Sequence, residues 1–413
     1  MLIVGAGPAG SVAAALLARA GVRVRLIDRA IFPRPKLCGD TINPGALAAL
    51  RRLDLAVPVE AAGRPIDGMR LTGPGGVVVE GRYPRGLAGL ALVRRDLDWL
   101  LLEQAIDAGA RFEPGMVVRQ PIVEESGSNR TVAGVIGELR GRAWALRAPV
   151  TIAADGRRST LAFSLGLARH PVRPRRWAVG AYYENVEGLS SLGEMHVRAG
   201  RYIGIAPIPG GLANVCVVRT EPGGRLSRER RRGESGPGSP APSALAARLS
   251  TEVAGDPWLR PRFTGARMVR PPVALGPLAV DVAPQPVDGL LLAGDAAGFI
   301  DPMTGDGLRF AIRGAALAAD AALAALAGGW SAEVGDRLAA ARRREFAAKW
   351  RFDRLVRALV ARAALVEASA RAARLLPSAL RYAIAVAGDC RLAEDAAASP
   401  AEPAGPAPCR AHR

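Results

Sequence analysis

The chain opens on an unbroken apolar run, Leu2-Ile3-Val4, that gives way at once to Gly5-Ala6-Gly7-Pro8-Ala9-Gly10. Small residues from Ser11 to Ala20 then carry the spacing of a buried helix, and a second apolar run, Val22 to Ile27, ends at Asp28. Short continuous runs of this kind are strands covered on both faces, so the order strand, turn, helix, strand predicts a parallel sheet. Val150 to Ala154 and Gly289 to Ala293 are runs of the same type, each ending at an Asp-Gly or Gly-Asp pair. Elsewhere the period changes to two. Trp177 to Tyr183, Gly193 to Val197, Arg201 to Ala206 and Ala213 to Arg219 read as strands of an antiparallel sheet. Arg94 to Ala110 and Leu308 to Leu326 read as helices. From 337 to 388, Arg-rich turns alternate with Leu, Val, Phe and Ala at helical spacing.

The fold class expected is α/β: a Rossmann-like dinucleotide-binding domain with an inserted antiparallel sheet and C-terminal helices. The boundaries are 1–64, 93–170 and 266–330 for the discontinuous first domain and 65–92 with 171–265 for the sheet that roofs a substrate cavity. Residues 331–395 form a helical region and 396–413 a disordered tail rich in Pro and Ala. The stretch 221–243, with Arg228-Glu229-Arg230-Arg231-Arg232 and Gly, Ser and Pro, reads as a surface insertion, with a basic docking site as the minor reading.

Composition narrows the classes. At 413 residues and 49% hydrophobic, the chain can bury one large core or two coupled ones. The formal charge of +18 is nearly all arginine, since Lys36 and Lys349 are the lysines. With abundant Ala, Gly and Pro this reads as coding background, and no nucleic-acid-binding pattern accompanies it, so no specific nucleic acid is expected. The helices of 337–388 are amphipathic enough to rest on an anionic membrane, although such faces more often cover a core with arginines in solvent. No uncharged apolar run reaches the ~18 residues of a bilayer span, and no secretory signal precedes the first strand. The expected location is cytoplasmic, or peripheral to the membrane through those basic helices. Met1 stands almost on the first strand, so a true start further upstream is expected. Cys38, Cys216, Cys390 and Cys409 form no framework, and the three histidines stand in no ligand spacing, so no metal site is expected.

The glycine turn supplies the first chemistry. Gly5 permits the tight turn, Gly7 lets backbone approach a pyrophosphate, and Gly10 lets the helix pack on the strand; Pro8 and Ala9 lie between, opening the helix whose amides face the anion. Asp28 follows Gly10 at close to the ~20 residues usual for an acid that binds an adenosine ribose. The turn alone does not separate FAD from NAD.

The distant run through Gly294-Asp295, followed by Asp301-Pro302-Met303-Thr304-Gly305-Asp306-Gly307 and a helix, resembles with it the FAD-binding fold of aromatic hydroxylases and geranylgeranyl reductases. Phe32-Pro33-Arg34-Pro35-Lys36-Leu37-Cys38-Gly39-Asp40 and Asn43-Pro44-Gly45 are similar to the geranylgeranyl reductase version. The resemblance covers most of residues 1–325. It implies that Asp295 holds the ribityl chain, and that Arg94, with Arg95 as runner-up, meets the pyrophosphate. It implies further that Asp155 caps a turn near the dinucleotide, that Arg29 follows the ribose acid, and that the helix after Gly305 and Gly307 points its positive end at the flavin. Asp155 also reads as an ordinary strand-end turn. Cys38 is the candidate catalytic residue, as a proton donor or part of the substrate face, with a gap-filling core thiol as the other reading. Where reductases of long isoprenoid chains carry an aromatic-rich element, this chain has Arg201 to Gly211 with Tyr202 as its aromatic residue, which weighs against a polyprenyl substrate. The tryptophan element of flavin-dependent halogenases is missing too.

These motifs together imply an FAD-dependent oxidoreductase. NADPH or NADH would visit transiently to reduce the flavin, which then reduces a carbon–carbon double bond of an apolar isoprenoid or lipid-like molecule. A monooxygenase acting on an aromatic or polyketide-like substrate shares every cofactor residue and stands as the alternative. A non-catalytic FAD-stabilised binding protein ranks last. An apolar small molecule is the expected partner, and no partner protein is identified.

Overall fold

The computed structural model describes residues 1–126, 129–172, 176–220, 242–283, 287–391 and 393–394. Nearly all of the 221–243 stretch and the whole 396–413 tail, with Cys409, lie outside them.

Five parallel strands form the first sheet, in the order Leu290–Leu292, Thr151–Ala153, Leu2–Val4, Arg25–Asp28 and Arg111–Pro114. Ile3 pairs with Ile152 on one side and Leu26 on the other. The continuous apolar runs are explained by what covers them. Ile3 faces a helical layer, while Leu2 and Val4 face a second core under the antiparallel strands Val117–Ser126, Asn129–Leu139 and Arg142–Arg147. In the helical layer, the first helix, Pro8–Arg19, packs against Gly307–Gly328, and alanines such as Ala13, Ala14, Ala315 and Ala319 let the two approach closely. Gly307–Gly328 is long and apolar enough to cross a membrane, and half of its apolar window is buried in this protein. The C-terminal helix of 332–360 packs on it as well.

The second sheet runs in the order Arg267–Met268, Arg176–Glu184, Ala213–Thr220, Arg201–Pro207, Leu192–Arg198, Gly68–Thr72 and Val78–Arg82, with Val273–Leu275 also paired to Arg176–Glu184. All four strands expected from alternation are present within a residue or two. The boundary at 266 needs correction: 267–268 and 273–275 hydrogen-bond to the roof sheet. Short edge strands carry too little periodicity to be assigned from sequence. One face of this sheet is covered by the helix Pro242–Ala254 and the turn Arg260–Phe263. The other face, with Met69, Leu71, Met195 and Val197, looks onto a cavity.

The C-terminal helices, Ala332–Val360, Ala363–Leu375 and Pro377–Ala387, do more than cover a core with arginines. Phe352, Leu355, Val356 and Leu359 recur at helical spacing and form one wall of that cavity, and Ala370, Leu380 and Ile384 continue it.

Candidate active site

The end of the first strand is shaped by contacts that leave no room for side chains. Gly5 takes φ +99°, and a Cβ there would lie 2.5 Å from the Ala154 carbonyl oxygen; one on Gly10 would lie 1.7 Å from the Gly5 carbonyl oxygen. Gly7 differs. The nearest atom to a Cβ there is Arg34 Nη2 at 3.5 Å, so this backbone is left bare for a group that is not part of the chain. Asp28 fixes the turn from below, accepting the Ala6 N–H at 2.8 Å and the Ala30 N–H at 2.7 Å. A Cβ on Gly294 would meet the Ala9 Cβ at 2.9 Å, so the two distant glycine motifs are pressed together. Asp155 accepts the Thr160 N–H at 2.8 Å, leaving Oδ1 buried without a partner, and burial pushes its carboxyl up to about 6. Arg29 is exposed and acts on Asp155 through its charge.

A cation-rich cluster flanks this turn. Arg94 donates from Nε and Nη2 to Asp98 at 2.7 and 3.1 Å, Arg34 Nη2 stands 3.2 Å from the same carboxylate, and Lys36 faces Asp98, Asp295 and Arg94. Burial, with Arg94 beside it, lowers the Lys36 ammonium; at Arg94 burial is outweighed by Asp98, which holds the guanidinium charged. Three basic groups, Arg34, Lys36 and Arg94, gather here against Asp98 and Asp295, with Asp28 beneath the turn. Arg94 is paired bidentately with Asp98, Arg95 is exposed, and Arg34, also against Asp98, is the guanidinium nearest Gly7. The open Gly7 backbone and the neighbouring cations fit the pyrophosphate of a dinucleotide such as FAD, and the unpartnered Asp155 oxygen is an acceptor suited to a hydroxyl donor.

Cys38 is half-buried, and its thiol lies against Arg94. The next residue, Gly39, lines the cavity, as does Cys216, whose Sγ donates to the Cys38 carbonyl at 3.3 Å; burial raises the Cys216 thiol well above its ordinary range. Cys38 itself is not among the lining residues. Asp40 follows in a left-handed conformation (φ +54°) and ties the start of the Arg94 helix to the roof sheet. It accepts the Arg94 N–H at 3.2 Å, the Tyr182 hydroxyl at 2.7 Å and the Asn214 amide at 2.5 Å, and burial raises its carboxyl to about 6.

The cavity itself holds about 440 Å³, between the roof sheet, the C-terminal helices and the loop through Thr304 and Gly305. Its lining is Met, Leu, Val, Ile and Ala with few polar groups. The loop is held by Asp301, which accepts Arg176 Nη1 at 2.7 Å, the Tyr202 hydroxyl at 2.8 Å and the Met303 N–H at 3.1 Å. Tyr202, the aromatic remaining in its strand, is therefore a loop support outside the lining residues, and strand and helix side chains supply the apolar wall instead.

Under the cavity floor lies a second buried cluster, which reasoning from sequence did not place. Lys349 Nζ stands 3.1 Å from Asp306 Oδ1 and donates to the carbonyls of Val386 and Ala387 at 2.6 and 2.8 Å. Asn43 donates to Asp306 at 3.1 Å, Arg309 pairs with Asp389 and with Glu345, and Arg313 also reaches Glu345. Asp353 is buried beside them. Four carboxyls (Asp306, Glu345, Asp353, Asp389) face three cations (Arg309, Arg313, Lys349). Burial drives the Asp306 carboxyl well up, Asp353 and Asp389 add to this, and Lys349 only partly offsets it. The signal available in the sequence was that Lys349 is one of two lysines in a chain that otherwise uses arginine.

An FAD-binding-domain family model matches residues 1–204. The menaquinone reductase of Mycobacterium tuberculosis is 34% identical over 333 residues, covering 78% of this chain and 75% of that protein. Digeranylgeranylglycerophospholipid reductase 1 of Methanopyrus kandleri is 31% identical, covering 79% and 80%. The crystal structure of a geranylgeranyl bacteriochlorophyll reductase-like protein from Thermoplasma acidophilum superposes with a TM-score of 0.71 at 22% identity, over 87% of each chain.

Proposed function

The chain belongs to the geranylgeranyl reductase family of FAD-dependent oxidoreductases, and from that premise we propose that it reduces a carbon–carbon double bond in the isoprenoid chain of a lipid. The observation carrying this reading is the cavity: an apolar space reaching from Gly39, Thr41 and Gly305 to the C-terminal helices, where a hydrocarbon chain meets side chains of its own polarity. Sequence relatives include proteins named menaquinone reductase and digeranylgeranylglycerophospholipid reductase, which supports reduction over oxygen transfer.

FAD, when bound, supplies a hydride that a visiting nicotinamide cofactor has delivered to it. The chain's own groups do the rest. The turn at Gly7, Arg34 and Lys36 would hold the pyrophosphate, and Asp28 and Asp295 would accept from ribose and ribityl hydroxyls. The free N–H groups opening the Gly307 helix present positive potential at the inner end of the cavity. Met69, Leu71, Val79 and Met195 exclude water from the reacting carbons. Cys38, the neighbour of the lining residue Gly39, is the candidate to deliver the proton for the second carbon.

Two variants test the reading. A Cβ on Gly204, which lines the cavity, would come no nearer than 3.9 Å to any atom, so Gly204→Leu fits the strand and fills the cavity. It should keep FAD and its reduction by NADPH or NADH while losing turnover of a polyprenyl quinone or geranylgeranyl lipid. Equal turnover in this variant contradicts the cavity as the substrate site. Cys38→Ala should keep FAD and slow turnover by about 100-fold or more; full activity would return Cys38 to a packing role.

A further inference from the structure

The mouth of the cavity is built from an unusual surface. Leu355 lines the cavity and is nevertheless 65% exposed, so it stands at the opening. Beyond it, Leu375 and Leu376, at the turn between the last two helices, are 81% and 61% exposed, and Tyr382 on the final helix is 61% exposed. The same helices carry exposed Arg351, Arg354, Arg362, Arg371, Arg374 and Arg381. Between 346 and 388 the acids are Asp353, which is buried, and Glu367, which pairs with Arg371. The helices that wall the cavity thus turn leucine, tyrosine and uncompensated arginine outward at its mouth.

We infer that this tip is a docking surface for an anionic phospholipid bilayer, seated so that the cavity opens into the membrane. Exposed leucines insert among acyl chains, tyrosine favours the headgroup level, and arginines pair with lipid phosphates and anionic headgroups. A second copy of this chain fits the surface less well, because a two-fold interface would set one arginine field against another. The inference rests on the reading of the substrate as a lipid for its purpose, since an isoprenoid dissolved in a bilayer then reaches the cavity without crossing water. Docking itself stands on the exposed leucines and arginines, independently of that reading.

The test is flotation of the FAD-loaded full chain with vesicles of phosphatidylcholine alone or mixed with phosphatidylglycerol. Binding to the mixed vesicles, weakened by salt and absent with phosphatidylcholine alone, is expected. Leu375→Asp with Leu376→Asp should abolish it, and Arg354→Glu with Arg381→Glu should weaken it by about tenfold or more. None of these four residues lines the cavity or touches the dinucleotide site, so FAD content, thermal unfolding and turnover of detergent-dispersed substrate should be unchanged. Failure to bind anionic vesicles, or variants that bind as well as the parent, overturns the docking surface. Docking without reduction of any isoprenoid lipid overturns the substrate reading alone, and reduction in detergent without docking overturns the surface alone.

Discussion

The two buried ionic clusters of this protein are built from the same parts in different proportion. Beside the glycine turn, Arg34, Lys36 and Arg94 outnumber Asp98 and Asp295; under the cavity floor, Asp306, Glu345, Asp353 and Asp389 outnumber Arg309, Arg313 and Lys349. Each contains one of the two lysines. Burial makes an uncompensated charge costly, so each surplus must be answered. The first would be answered from outside, by the anionic cofactor of the proposed function. The second is met within the chain, where burial and the neighbouring carboxyls raise Asp306 and Asp353 above their ordinary range, and it forms a clasp joining the Gly307 helix to the helices walling the cavity.

The sharpest contrast within the first region is between Gly10 and Gly7. Gly10→Ala should give no folded flavoprotein, because its Cβ has nowhere to go, whereas Gly7→Ala should give a folded apoprotein that no longer retains FAD. Near-ultraviolet circular dichroism and flavin absorbance separate these outcomes. The same phenotype from both would remove the distinction between a turn that folds the chain and one that receives a ligand.

In the second region, Lys349→Met leaves Asp306 and Asp389 without their ammonium and should cost about 3–5 kcal/mol in denaturant unfolding. Asp306→Asn removes the surplus acid and should be close to neutral, and combining the two should recover part of the loss. Additive effects would show that these side chains do not act as one cluster.

Asp40 ties the first region to the roof sheet, bonded to Arg94 on one side and to Tyr182 and Asn214 on the other. Its folded value, about 6, lies above the unfolded carboxyl range. The protonated form is therefore favoured by folding: this contribution is fully present below about pH 4 and is lost as pH rises through about 6. Asp40→Asn should flatten the fall in stability over that window by roughly 2–3 kcal/mol. An unchanged pH profile would show that Asp40 titrates normally.

Local steric demands explain how much of this could be read beforehand. Gly5, Gly7, Gly10, Gly294 and Asp28 lie in short motifs whose backbone geometry the sequence announces, and the roof strands followed from their alternation. The spacing that turns Arg94 inward did not show that Asp98, one helical turn on, pairs with it. The C-terminal helices were legible as amphipathic, but periodicity does not say what an apolar face covers. Here it is a cavity. The Asp306 clasp was not legible because its partners Asn43, Lys349 and Asp389 come from distant segments, joined only by tertiary packing.

Under the proposed function, flavin electrons leave this protein into an isoprenoid double bond. The direct measurement is anaerobic: reduce the FAD-loaded protein, add a polyprenyl quinone or geranylgeranyl lipid with its headgroup already reduced, and follow flavin absorbance together with the mass of the lipid. Reoxidation of the flavin without oxygen, with two hydrogen atoms gained by the lipid chain, is the result predicted. A flavin that stays reduced until oxygen is admitted, with the lipid unchanged or carrying an added oxygen, would contradict it.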